Sequence, residues 1–141
     1  MLTITRLDID EAHALIAGAR AKATEIEVPM CIAVTDESGN LIAFERMDGG
    51  KITSIQLAID KAFTAAGVKK STHALAEVNQ PGMPAHGLSS TLGGRMVVIA
   101  GGLPVHSNGE VIGGIGVSSG SPAQDQEVAQ AGIDAVSKFY S

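Results

Sequence analysis

The sequence predicts a single α+β domain over residues 1–141, with a five-stranded antiparallel sheet flanked by helices. Three observations carry that prediction. Turn chemistry joins consecutive apolar segments at Asp36–Gly39 and again at Asn108–Gly109, which is the signature of hairpins and hence of antiparallel pairing. Other segments repeat apolar residues every three to four positions, the period of a helix with one buried face. The chain is long enough to bury a core of its own and carries neither a linker nor an internal repeat.

The elements follow in chain order. Thr5 to Glu27 reads as a helix, capped by Thr5 or Asp8, with Asp8 and Glu11 at capping-box spacing. Its inner stripe of Ala12, Leu15, Ala19, Ala23 and Ile26 is mostly alanine, so a neighbouring element must approach closely. Pro29 separates this helix from a strand, Met30 to Thr35, which returns through the turn as Asn40 to Met47. A second helix starts near Thr53 or Ser54 and presents Ile55, Ala58, Ile59, Ala62, Phe63 and Ala66, ending at Gly67. A shorter one opens at Ser71 or Thr72 and runs to Glu77. Asn79 to Arg95, rich in Gly and Pro, is expected to be a long loop holding at most one helical turn. Three strands then follow: Met96 to Ala100, Leu103 to Ser107 and Glu110 to Ser118. Glycines inside the last of these would cost stability unless another backbone packs against it. The final helix starts with Ser121 as N-cap, Pro122 at the first helical position and Gln124 completing a capping box; Val128, Ala131, Ala135 and Phe139 are its expected inner face.

Composition excludes several function classes. Net charge is -5, charged residues are 18 %, and no dense basic run exists, which argues against binding a nucleic-acid backbone. No apolar run is long enough for a membrane span, and the first residues lack the form of a secretory signal, so a cytoplasmic location is expected. The single cysteine, Cys31, excludes an internal disulfide and reads as a small buried hydrophobe. Sparse charge with abundant Ala and Gly suggests surface buried between copies of the chain, a homo-oligomer.

Three segments, AVTDESGNLIAFERMDG, DKAFTAAG and GGLPVHSNGEVIGGIGVSSGSPAQDQEVAQAG, together resemble the GlcG/HbpS family, which includes the C-terminal domain of PduO-type proteins. The likeness runs from the first helix to the last. It implies a profilin-like sandwich, a homo-oligomer, and binding of a small molecule or cofactor, with haem or another tetrapyrrole the most nameable ligand.

Candidate binding residues follow from chemistry and from that pattern. Arg46 and Asp48 leave a strand for a glycine turn; the guanidinium offers a planar fork to a carboxylate or propionate and Asp48 can orient it, or the two simply fix the strand end. Lys61 sits at the edge of the alanine-rich helix face, able to reach an anion or to remain a solvated or paired lysine; a Schiff base would require it to be desolvated. Ser121 and Asp125 stand at a helix N-terminus, where free N–H groups attract an anion and where an ordinary cap is the simpler role. His86 lies in the long loop, where ligand-binding residues are most at home. If haem is bound, His86, His13 and His73 are the candidate iron ligands. The loop around His86, the strand end at Arg46 and the corner before Ser121 are expected to converge at one end of the sheet or at a subunit boundary. No HExxH, GxSxG or phosphate-loop pattern is present, so no catalytic residue is assigned. Three readings remain open: a small-ligand binding protein, an enzyme or accessory subunit acting on a small carboxylate or aromatic metabolite, and an inert oligomeric module.

Overall fold

The Asp36 carboxylate organises the first hairpin. Its Oδ1 accepts the backbone N–H of Ser38 at 2.9 Å and of Asn40 at 3.0 Å, closing a turn that folds one strand back on the other. In a computed structural model, which describes residues 1–139, these strands are β1 (Cys31–Asp36) and β2 (Leu41–Arg46). They are preceded by α1 (Ile9–Glu25) and followed by α2 (Ser54–Val68) and α3 (Thr72–Val78). After a long connection come β3 (Gly102–Ser107), β4 (Glu110–Ser118) and α4 (Pro122–Val136). Both expected capping boxes form, at Asp8 with Glu11 and at Ser121 with Gln124.

The sheet has four strands in the order β2-β1-β4-β3, all antiparallel, and not five. The segment expected as a further strand, Met96 to Ala100, joins no ladder. The Val97 N–H donates instead to the Thr64 hydroxyl on α2 at 3.0 Å. A β-rich apolar run has thus been captured by a helix side chain. The preceding loop contains two short 3-10 turns, Leu88–Ser90 and Leu92–Gly94.

Helices cover both faces. On one, Cys31 and Ala33 of β1 pack against Ala58 and Ala62 of α2. On the other, Ile32, Val34, Ile115 and Val117 meet Leu15 and Ala19 of α1 and Val128 and Ala129 of α4. Each large side chain buried there contributes roughly 1.5–3 kcal/mol.

The glycine-rich strand is explained by the approach of α2. A methyl group at Gly116 would collide with the carbonyl oxygen of Ala58, and one at Gly114 would lie 2.5 Å from that of Ala62. Backbone therefore packs on backbone, as the strand glycines predicted. The inner face of α4 is shifted from expectation. Val128 is buried, but its companions are Ala129, Gly132 and Val136, whereas Ala135 and Phe139 are exposed. Gly132 has no side chain to register in an apolar stripe, yet it marks the seam: a methyl there would sit 2.8 Å from the Leu15 carbonyl of α1.

Candidate functional site

Strand register builds one end of the sheet from three residues. Cys31 of β1 pairs with Arg46 on one side and with Ser118 of β4 on the other. Directly opposed residues project to the same face, so the row Arg46–Cys31–Ser118 faces the α2 side. Both α2 and α4 begin beside this row. The backbone N–H of Lys51, in the turn leading to α2, donates to the Ser119 hydroxyl at 3.1 Å and ties the two helix starts together. Between them lies a cavity of about 220 Å³, lined by Lys51, Ser54, Lys61, Ser118, Gly120 and Asp125 among others.

At its floor is a buried ion pair. Lys61 is 1 % exposed and Asp125 is 3 % exposed. Lys61 Nζ donates to Asp125 Oδ2 at 3.0 Å and to the Val117 carbonyl at 2.9 Å. Asp125 Oδ1 accepts the Gly120 N–H at 2.9 Å. Lys61 is not at the edge of the α2 core face but inside it, because α2 lies so close to β4 that its middle turns are covered on more than one side. Burial pushes the Lys61 ammonium below the ordinary lysine range, while the charge of Asp125 and its hydrogen bond oppose that shift. An ammonium has three donors, and two are used here, leaving the third for a group in the cavity.

Ser54 and Ser118 are 3 % and 4 % exposed and also line the cavity. Among the described residues, neither hydroxyl has a hydrogen-bond partner. Among the described residues the fully buried side-chain polar atom left without a partner is His73 Nδ1, so these two hydroxyls keep contact with the solvent of the cavity and are free to serve a bound molecule. The N-termini of α2 and α4 add partial positive charge. Buried ammonium, free hydroxyls and helix N-termini together suit a compact molecule carrying a carboxylate or carbonyl oxygen.

The remaining candidates fall in different places. Arg46 is exposed at the end of β2, on the row that borders the cavity, and Asp48 is exposed in the turn beyond it. Among the described residues no ion pair joins them. Ser121 is exposed, and its hydroxyl accepts the Gln124 N–H at 3.2 Å, so it is occupied as a cap. The loop bearing the exposed His86 covers the far end of α2, where Leu88 and Leu92 meet Phe63, Gly67 and Val68. The structure brings Lys61 and Asp125 together with the corner before Ser121, places Arg46 two strands away from Ser118 on the same sheet end, and leaves His86 apart. His13 is exposed on α1. His73, half-buried on α3, has Nε2 at 3.2 Å from the Ser71 hydroxyl and a buried Nδ1 with no partner. Cys31 is fully buried, and burial pushes its thiol above the ordinary range.

Sequence reasoning missed Ser54 and Lys51, which look like routine residues of a helix start and the turn before it, whereas Ser118 lies in the corner before Ser121 that the sequence already singles out. Among the described residues there is no cluster of three or more His, Cys, Asp or Glu able to hold a metal ion, and no helix is long and apolar enough to cross a membrane.

Comparison with known proteins gives a consistent result. Residues 7–134 match the family described as haem degrading protein HbpS-like. A 15.0 kDa protein of the dhaT-dhaS intergenic region of Citrobacter freundii is 38 % identical, the alignment covering 96 % of both chains. Among solved structures, protein ORFY of Klebsiella pneumoniae superposes with a TM-score of 0.95 at 36 % identity, covering 97 % of this chain and 94 % of that one. A structure described as a PduOC:heme complex superposes with a TM-score of 0.89 at 37 % identity, covering 93 % and 95 %.

Proposed function

Because the chain belongs to the GlcG/HbpS family, as its HbpS-like match over residues 7–134 shows, we propose that it is a small-ligand binding protein of that type. Its ligand is a compact carboxylate or carbonyl compound seated between the N-termini of α2 and α4. The carrying observation is the Lys61 ammonium, buried beside two partnerless serine hydroxyls with one donor left over. In this reading Lys61 and the serines hold the ligand from below. Arg46 and Lys51 draw its negative charge from the rim, and Asp125 holds the ammonium in place. Ser121 contributes by fixing the start of α4. Isothermal calorimetry with lactate, a small carboxylate, tests the reading: saturable binding lost in Lys61→Met supports it, and absence of binding at millimolar ligand contradicts it.

A second ligand class is favoured by the relative described as a complex with heme. A tetrapyrrole does not fit the Lys61 cavity, which at about 220 Å³ is smaller than the ~300–1,000 Å³ of sites that enclose larger ligands. The donor chemistry fits at the surface. His13 and His86 present exposed imidazoles, and the partnerless Nδ1 of His73 becomes available if α3 shifts. Haem, if bound, would be held by one of these imidazoles and would supply an iron that a neutral imidazole nitrogen can ligate. Hemin titration of the protein and of the three single His→Ala variants tests this; an unchanged visible spectrum in all three excludes imidazole ligation by these residues.

The reading includes assembly with further copies of the chain. Ile52 and Ile99 are exposed at 76 % and 47 %, and Ile99 also lines the cavity, so a neighbouring copy seated there would cover apolar surface and close the site.

A further inference from the structure

We propose that Lys61 is a nucleophile that forms a reversible imine with a small aldehyde or 2-oxo acid in the cavity between α2 and α4. The inference rests on the small-ligand reading and names the ligand class. Three observations carry it. The Lys61 side chain is desolvated and the residue lines a cavity, which is the requirement the sequence alone left unmet. A carboxylate oxygen, Asp125 Oδ2, stands 3.0 Å from the nitrogen, placed to take and return a proton. The free hydroxyls of Ser54 and Ser118, Lys51 and the two helix N-termini can receive a carboxylate beside the reacting carbonyl.

The step balances without any co-reactant. Asp125 takes one proton from the ammonium, and the neutral amine attacks the carbonyl carbon. The N–C bond forms as the C=O electron pair moves to oxygen, and Asp125 returns the proton there, giving a carbinolamine. A second proton passes from nitrogen to the hydroxyl by the same carboxylate. Water leaves, the C=N bond forms, and the product is a protonated imine: ammonium and carbonyl in, iminium and water out. No atom changes its overall oxidation level beyond this exchange.

The lowered basicity of Lys61 raises the fraction of neutral amine near pH 7, and an enclosed iminium beside Asp125 keeps a counter-ion. A purely structural ion pair would need no cavity lined by both of its members.

The test is reductive trapping. The protein is incubated with pyruvate and cyanoborohydride, digested, and mapped by mass spectrometry. The proposal expects an adduct of pyruvate less one oxygen atom on Lys61, formed at least about tenfold faster than on the exposed Lys69 and Lys70, which have neither the cavity nor a carboxylate partner placed like Asp125. Lys61→Arg, which keeps the charge, should abolish that adduct and leave slow surface labelling unchanged. Lactate, of equal size but without the carbonyl, should slow the trapping by competition. Adducts spread evenly over the exposed lysines, or none on Lys61, overturn the proposal. If lactate binds by calorimetry and Lys61 is not trapped, imine chemistry fails while small-ligand binding stands. If lactate neither binds nor competes and Lys61 is not trapped, both fail.

Discussion

Lys61 on α2 and Asp125 on α4 meet at 3.0 Å across the end of β4, with side chains only 2 % and 4 % exposed. The pair joins two helices on opposite faces of one sheet, so it passes through the layer at the strand end. It is buried deeply enough for desolvation to dominate the lysine. Such a pair is weak evidence for stability in itself, because the cost of burying two charges offsets their attraction. In the proposed reading its geometry prepares the cavity for a ligand.

Removing either partner strands the other. Lys61→Met and Asp125→Leu should each destabilise the fold by about 3–5 kcal/mol, and the double variant should lose less than the sum. Urea denaturation of the four proteins measures this. Additive losses would mean that the two charges do not interact.

The lowered basicity of Lys61 has a defined pH signature. A lysine whose folded pKa lies below its unfolded value of 10.5 binds fewer protons folded than unfolded in the window between the two. Stability then rises with pH across that window. Plotting the urea midpoint against pH should show this rise in the wild type and a weaker one in Lys61→Met. Parallel curves for the two proteins would mean that Lys61 titrates normally.

The close approach of α2 to β4 can be probed by a single methyl group. Gly116→Ala drives a side chain into the Ala58 carbonyl. It should cost about 1–3 kcal/mol by overpacking and displace Lys61 along with its helix. A variant as stable as the wild type would mean that α2 stands further from the sheet.

Much of the fold was legible because periodicity and turn chemistry are local. Asp36–Gly39 and Asn108–Gly109 announced both hairpins, and Asp8 and Ser121 announced two helix starts. The error at Met96 to Ala100 arose because a run of apolar residues records burial, not the partner that takes its hydrogen bonds; here Thr64 does. Gly132 was overlooked for a similar reason, since close packing of two helices selects residues with no side chain. Within the site, Lys61, Asp125 and Arg46 could be picked out individually. The buried pairing of Lys61 with Asp125 could not, because it depends on how α2 and α4 meet at the end of β4. His86 was favoured for lying in a loop, but loop membership carries no information about which end of α2 the loop covers.

Assembly has its own measurement. Light scattering at micromolar concentration should give a particle heavier than one 14.4 kDa chain. Replacing Ile52 and Ile99 with Lys should reduce its mass, since both are exposed apolar residues near the cavity. A monodisperse 14.4 kDa species in the unaltered protein contradicts the assembly reading.

The central claim, that a small carboxylate binds between α2 and α4, is tested most directly by following the amide NMR signals of labelled protein as lactate is added. Saturable shifts are expected at Lys51, Ser54, Ser119 and Gly120, which surround the cavity. Arg46→Ala should weaken that titration by at least ~1.5 kcal/mol, the lower range for a hydrogen bond to a charged group. Shifts confined to other surfaces, or linear and unsaturated at Lys51, Ser54, Ser119 and Gly120, would contradict it.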